Sequence, residues 1–354
     1  MTQKRILFVC PNLGSGGSEK MLARIANYSH RKGLNCSVIL LDGRNPHYQL
    51  DPGIEVFDLK LASMKQSFFH LIGMVKKIKP DLIFSTVTAM NVVVVLCSLF
   101  FGKVRLIARE SSIISINNQH SKYGTLVNWV VKLLYRRFDA IVAQSFAMKN
   151  DLVNNFNIDG NKIVQIYNPI EVPEALALQS KQSSGLVFVS VGNLRKEKGY
   201  ERILQALSGI TDLDYHYYIV GEGQETERLK KMALDLKLNN KVTFTGKLSN
   251  PEMYYAQADL YLIGSYYEGF PNALLEAGLH GVPAVAYDVP GGIPEIMTAQ
   301  SGILVEDGNI ERYRAAIRKA VAASWDRKAI ASDIKTRFDY ETLMNRYYNL
   351  FLNV

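Results

Sequence analysis

Gly264-Ser265-Tyr266-Tyr267-Glu268-Gly269-Phe270-Pro271-Asn272-Ala273-Leu274-Leu275-Glu276-Ala277-Gly278-Leu279-His280-Gly281 follows an apolar run, Ala258 to Ile263. That run reads as a strand buried on both faces. Pro271 suits the first position of a helix and Gly281 its end, with Pro283 just beyond. The order is strand, tight loop, helix. Glu268 stands in the loop, and Glu276 lies on the helix, on the order of 8 Å along its axis. A helix N-terminus offers free backbone N–H groups to phosphate. An ionised carboxylate only accepts hydrogen bonds, which suits the hydroxyls of a sugar. Glu276 is flanked by Ala273, Leu274, Leu275, Ala277 and Leu279, and a carboxylate in such surroundings needs a partner. Two acids at this junction point to a nucleotide-sugar site.

Outward from that stretch, the 354 residues suffice for two domains of ordinary size. The hydrophobic content of 48% and charged content of 21% belong to a folded protein. Cys10, Cys36 and Cys97 are sparse, odd in number and without metal-ligand spacing, which indicates a reducing compartment. The first residues do not read as a signal peptide. The most apolar stretch, Val92 to Phe101, is about half the length of a membrane span. Charge is unevenly spread: residues 1–170 hold 21 Lys and Arg against 10 Asp and Glu, and the remainder hold 20 against 23. An acidic partner for the first half follows, a phospholipid surface or phosphorylated acceptor before a nucleic acid.

Arg5 to Cys10 reads as a strand leading into a Gly-rich loop and an amphipathic helix, Lys20 to Arg31. Gly14 and Gly16 fit a dinucleotide fingerprint, but Glu19 occupies its third glycine position, where an acid would face the phosphates. Strands and helices then alternate through residue 155, predicting a doubly wound parallel sheet with ligands at the strands' carboxyl ends. Periodicity lapses over 168–185, the expected linker. The alternation restarts with Leu186 to Val191 and a basic loop, Gly192 to Gly199, that opens another helix. Arg195 and Lys198 in that loop sit where a diphosphate would be clamped by charge and backbone N–H groups. Asp212-Leu213-Asp214 precedes a strand, so it reads as a turn and not as a metal-binding pair. Two α/β halves imply a ligand cleft.

These residues resemble the retaining glycosyltransferases of family 4, whose GT-B fold sets two Rossmann-like domains face to face. Glu268 to Glu276 is similar to the family's E-x7-E motif and Gly192 to Gly199 to its G-R-L-x-x-x-K-G loop. Gly221 to Gly223 is similar to its G-x-G turn, Gly291-Gly292 with Glu295 to its G-G-x-x-E segment, and Gly16 to Glu19 to its G-G-x-E loop. The resemblance implies domains over 1–170 (acceptor) and 171–339 (donor), with the helix 340–354 returning to the first. It implies that Lys198 holds the diphosphate and Glu268 the donor-sugar hydroxyls, while Glu276 accepts from ribose. Backbone N–H groups around Gly269, Phe270 and Pro271 would contact phosphate or sugar, with Asn193, Gly223 and Gly246 also on the donor side. Gly16 and Gly17 would leave room for acceptor and phosphates. Asn193 replaces the family's arginine, with Arg195 as a substitute two residues on. Arg109-Glu110 stands where many members carry histidine, which would make Glu110 the first-half residue nearest the chemistry. Neither His70 nor His120 is assigned that role.

The function implied is transfer of a hexose or N-acetylhexosamine from a nucleotide-diphosphate sugar, UDP before other bases, to a lipid-linked or polysaccharide acceptor. No metal or cofactor is expected. A soluble acceptor and a nicotinamide-dependent oxidoreductase are the alternatives. Lys122, Trp129, Lys132 and Arg136 fall on one face of a helix read over 122–137, which suits an anionic membrane. A cytoplasmic enzyme on the inner face of the membrane is the expectation.

Overall fold

The computed structural model describes residues 4–353 apart from Ser15, Ala62, His120, 173–184 and Ser249. Most of the expected linker, and His120, lie outside the described residues. The chain divides into two compact units: Met1–Pro169 with Tyr340–Val354, and Ile170–Asp339. No helix among the described residues is long and apolar enough to cross a membrane.

The first unit begins β1 (Arg5–Cys10), α1 (Gly17–Arg31), β2 (Asn35–Leu40), β3 (Glu55–Asp58), α2 (Ser67–Ile78), β4 (Leu82–Thr86) and α3 (Thr88–Cys97). It continues with β5 (Arg105–Arg109), α4 (Ile114–Gln119), α5 (Gly124–Leu134), β6 (Ala140–Ala143), α6 (Phe146–Asn154) and β7 (Ile163–Gln165). Its seven strands form one parallel sheet in the order 3-2-1-4-5-6-7. The order reverses between β1 and β4, where a doubly wound sheet opens a crevice at its carboxyl edge.

The second unit starts with β8 (Leu186–Val191), α7 (Tyr200–Ser208), β9 (Tyr215–Val220), α8 (Thr226–Asp235), β10 (Val242–Gly246), α9 (Glu252–Gln257) and β11 (Leu260–Ile263). There follow α10 (Asn272–Leu279), β12 (Ala284–Asp288), α11 (Ile293–Ile296), β13 (Gly302–Glu306), α12 (Ile310–Ala322) and α13 (Arg327–Arg337). Its six parallel strands run 10-9-8-11-12-13 and reverse between β8 and β11. The two sequence stretches of greatest interest, after Val191 and after Ile263, are thus the loops on either side of that reversal.

The last helix, α14 (Tyr340–Asn353), belongs to the first unit. Its buried residues Leu343, Met344, Tyr347 and Phe351 recur at helical spacing. Phe351 meets Phe8 of β1 and Phe84 of β4 edge-on, with centroids 5.9 and 5.4 Å apart, and Tyr347 meets Phe84 at 6.2 Å. Edge-to-face geometry adds to the area that these rings bury. Lys4 donates through Nζ to the carbonyls of Phe351 and Leu352, holding the helix end against β1.

Removing that wedge tests the arrangement. Phe351→Ala is expected to destabilise the first unit by about 3 kcal/mol and to speed amide exchange along α14, measured by denaturant titration and hydrogen exchange. Unchanged protection of α14 would contradict it.

Candidate active site

Two glycines set the geometry of the second unit's carboxyl edge. After β8 the chain runs through Arg195 and a 3₁₀ turn, Lys196–Lys198, and ends at Gly199 with φ +57°. A Cβ on Gly199 would lie 2.0 Å from the carbonyl oxygen of Gly264, and one on Gly264 would lie 2.2 Å from that of Gly199. The β8 and β11 loops therefore touch backbone to backbone, a contact only glycine allows. The Tyr266 N–H donates to the Glu197 carbonyl at 2.9 Å and fastens them again.

Across this junction Lys198 Nζ lies 2.8 Å from both oxygens of Glu268. Ser265 Oγ donates to Glu268 Oε1 at 2.8 Å, and the Glu268 N–H bonds the Pro290 carbonyl at 3.0 Å. A Cβ on Gly291 would collide with the Glu268 carbonyl, so the β12 loop closes tightly over the acid. The Lys198 side chain is 30% exposed and that of Glu268 10%, so the carboxylate is the fixed partner and the ammonium the accessible one. Arg195 points outward, 61% exposed, with only a loose 3.9 Å approach to Glu197.

Behind the β11 loop is a buried cation that the sequence did not single out. Arg202 of α7 donates to the carbonyls of Gly264 and Ser265 at 3.1 and 3.3 Å and pairs with Asp307. Its guanidinium lies 3.6 Å from the Tyr287 ring centroid and 4.6 Å from that of Tyr266. The only sequence signal was its position one turn into the helix after the basic loop. Ser265 was also missed, although it stands three residues before Glu268 in the quoted stretch.

The other residues expected on the donor side lie along the same edge. Pro271 precedes α10 and does not open it: with ψ 104° it is still extended, and the helix begins at Asn272. Phe270 is buried against Phe338, with centroids 5.6 Å apart, while Gly269 accepts from the Gly292 N–H. Glu276, half-buried on α10, accepts from the Tyr255 hydroxyl at 3.1 Å. Gly246 accepts from the Gly221 N–H at 2.9 Å, which ties the ends of β9 and β10 together. Gly223 packs under the Leu194 carbonyl, beside the exposed Asn193. Asp212 lies in a surface turn where Arg318 takes its carboxylate at 2.7 Å and holds its pKa down at about 2.

In the first unit, Gly16 caps α1 and Gly17 opens it. The Glu19 carboxylate folds over Gly16, where a Cβ would meet it at 2.1 Å. Between β4 and α3, Val87 adopts φ +74°, an uncommon conformation for a β-branched residue, at the sheet's reversal.

Glu110 departs from its expected position nearest the chemistry. It is 1% exposed and turned inward. Thr88 Oγ1 donates to it at 2.8 Å, Asn91 Nδ2 at 2.6 Å, and the Tyr135 hydroxyl completes the set. Desolvation dominates and raises its pKa, although the three donors oppose the shift. Arg109, equally buried, donates from Nε to the Tyr347 hydroxyl at 3.2 Å and from Nη2 to Asn168 at 2.8 Å. The pair at the end of β5 therefore braces the first unit from inside. His70 is exposed and bonds the Gln66 carbonyl.

The helix read over 122–137 is shorter, with Lys122 before α5 and Arg136 in a 3₁₀ turn, Tyr135–Arg137, after it. Its outward face is more apolar than the basic stripe suggested. Trp129 is 62% exposed, and Leu126 and Leu133 join it within about 60° of one face. Nearby on α2, exposed Phe69 packs edge-on against Phe68, which also meets exposed Phe100.

Comparison with known proteins matches residues 15–173 to the model described as Glycosyltransferase Family 4 and residues 174–337 to the one described as Glycosyl transferases group 1. An uncharacterized glycosyltransferase of Haemophilus influenzae is 27% identical over 319 residues, 87% of this chain and 88% of its own. A Campylobacter jejuni enzyme is 27% identical over 355 residues, 95% of this chain and 94% of its own. It is named N-acetylgalactosamine-N,N'-diacetylbacillosaminyl-diphospho-undecaprenol 4-alpha-N-acetylgalactosaminyltransferase. The crystal structure of Anabaena HepE in complex with UDP-glucose superposes with a TM-score of 0.80 at 20% identity, covering 99% of this chain and 100% of that one.

Glu110 gives a pH test. Its proton is held more tightly in the folded chain than in the unfolded one, so its stabilising contribution is complete below the unfolded pKa. That contribution is lost as pH rises through the ordinary carboxylate range towards the folded value. Glu110→Gln is expected to flatten this decline in denaturant stability, and a variant with the wild-type pH slope would contradict it.

Proposed function

Because the chain belongs to the glycosyltransferases that join a family 4 domain to a group 1 domain on the GT-B fold, we propose that it transfers a hexose or N-acetylhexosamine with retention from a UDP-sugar to a lipid-linked or polysaccharide acceptor. The carrying observation is the Lys198–Glu268 pair at the reversal point of the second unit's sheet, where an open α/β sheet takes its ligands. A UDP-sugar complex of a protein with this fold and the lipid-diphosphate acceptor in the Campylobacter relative's name both favour the reading.

The roles follow from side-chain chemistry. Lys198 is assigned to the diphosphate, with Arg195, exposed and loosely held, as the second cation in place of the one missing at Asn193. The N–H groups opening α10 add partial positive charge. As the bond from the sugar's C1 to the diphosphate oxygen breaks, that oxygen keeps the electron pair, and these groups stabilise it. The acceptor hydroxyl bonds C1 on the face that the diphosphate leaves, and its proton passes to the departing diphosphate. Glu268 orients the sugar hydroxyls, and Glu276, which can accept more than its bond from Tyr255, takes the ribose. The reading calls for no metal or cofactor. Gly16 and Gly17 remain on the acceptor side, and Glu110 acts as a brace.

The apolar face of α5 suits a lipid surface. Leu126, Trp129 and Leu133 bury area in the interface while the positively charged first half attracts anionic headgroups. We place the enzyme on the cytoplasmic face of the membrane on this ground. It also favours the lipid-linked acceptor over a soluble one.

Calorimetry and turnover assays test the donor site. Glu276→Ala is expected to weaken UDP binding about tenfold, and Glu268→Ala to leave it within a few-fold of wild type or tighter while turnover falls at least about a hundredfold. Equal, negligible effects from both would refute the roles. Separately, the triple variant Leu126→Glu, Trp129→Glu, Leu133→Glu should no longer sediment with vesicles containing anionic phospholipid, yet bind UDP as wild type does. Vesicle binding unchanged by the triple variant would refute the membrane face.

A further inference from the structure

Lys198 already holds both oxygens of a nearly buried carboxylate. Among the described residues it is the one cation within ion-pair distance of Glu268. We propose that Glu268 and the donor's diphosphate compete for the Lys198 ammonium, and that Lys198 returns to Glu268 once the sugar has left, driving the nucleoside diphosphate out. This rests on the donor-site reading above and adds to it a step for product release.

The geometry allows one group to move. Glu268 is fixed through its N–H to Pro290, by Gly291 closing over its carbonyl, and by Ser265. The main chain at Lys198 is fixed by the contact between Gly199 and Gly264. What remains free to swing is the four-carbon stem of Lys198, whose ammonium has three donors and is partly open to solvent. A diphosphate drawn to that ammonium brings at least two negative charges towards a carboxylate that cannot retreat. Like charges brought together outside bulk water repel strongly.

Donor and product differ in what they offer Glu268. An intact nucleotide sugar brings hydroxyl donors, which can satisfy the carboxylate while Lys198 turns to the diphosphate. After transfer those donors are gone. Glu268 would then keep the Ser265 hydroxyl as its side-chain donor, an underbonded state that is costly for a nearly buried charge. Reclaiming Lys198 relieves it and strips the diphosphate of its main counter-charge. The carboxylate thus weakens the product more than the substrate.

The test uses the full chain, titrated calorimetrically with UDP, UDP-glucose and UMP. Glu268→Gln keeps the shape but not the charge, so it should bind UDP about tenfold more tightly than wild type. UDP-glucose should gain less and UMP nothing. Inhibition of turnover by added UDP should strengthen in parallel. With Lys198→Met in the background, Glu268→Gln should no longer tighten UDP, because there is no ammonium left to release. Glu268→Asp, which retains the charge but draws it back by one methylene, should show a smaller gain. Wild type that binds UDP, with neither Glu268 variant binding it more tightly, would overturn the release step and leave the donor site standing. A gain that survives Lys198→Met would overturn the competition for Lys198. Wild type that binds none of UDP, GDP and ADP would overturn both readings together.

Discussion

The second unit is arranged around a place where two backbones touch. Gly199 and Gly264 approach so closely that a single Cβ on either would collide with the other's carbonyl. The arrangement of the sheet's carboxyl edge follows from that contact. It brings the loops of β8 and β11 together at the sheet's reversal, so that a lysine and a glutamate 70 residues apart in sequence share one ion pair. Arg202 holds the far side of the same junction through two loop carbonyls. The result is a stiff frame of main chain with one long, partly exposed side chain across it, and the proposed donor site rests on that frame.

The first unit has the same sheet plan and handles its strand-end acid in the opposite way. Glu110 faces inward, surrounded by three donors from α3 and the turn after α5, and burial raises its pKa. Glu268 faces the edge and is balanced by a cation. Side-chain direction, not residue type, separates the two acids.

That difference bounds what the sequence could reveal. The α/β alternation, the two parallel sheets and the family were legible, because buried parallel strands are near-continuous apolar runs and the Glu268 to Glu276 stretch has a distinctive order. The edge strands were not. β3 is four residues long with two acids and two exposed positions, and β7 has only three residues, so neither offers an apolar run to detect. Lys198 and Glu268 stand out in the sequence as candidates, but their mutual pairing does not, since it depends on a glycine contact between distant loops. The inward turn of Glu110 was not legible because its partners Asn91 and Tyr135 lie 19 and 25 residues away, and a residue just past a strand end can turn either way. On α5 the sequence pattern gives a basic face with Trp129 and does not mark Leu126 and Leu133 as exposed. Only the structure shows that Val131 takes the inward face and leaves them outside.

The first unit is discontinuous in sequence, and its last helix is made only after the whole of the second unit. Until residues beyond Tyr340 leave the ribosome, Phe8 and Phe84 have no Phe351 to cover them, and Arg109 has Asn168 but not Tyr347. The second unit, continuous from Ile170 to Asp339, is fully synthesised before the first can close. Translation therefore runs opposite to the order of completion: the half that begins first finishes last. For the whole of that interval an aromatic surface in the first sheet is open to chaperones or to aggregation, and a chain that stops before α14 retains an intact second unit joined to an unfinished first one.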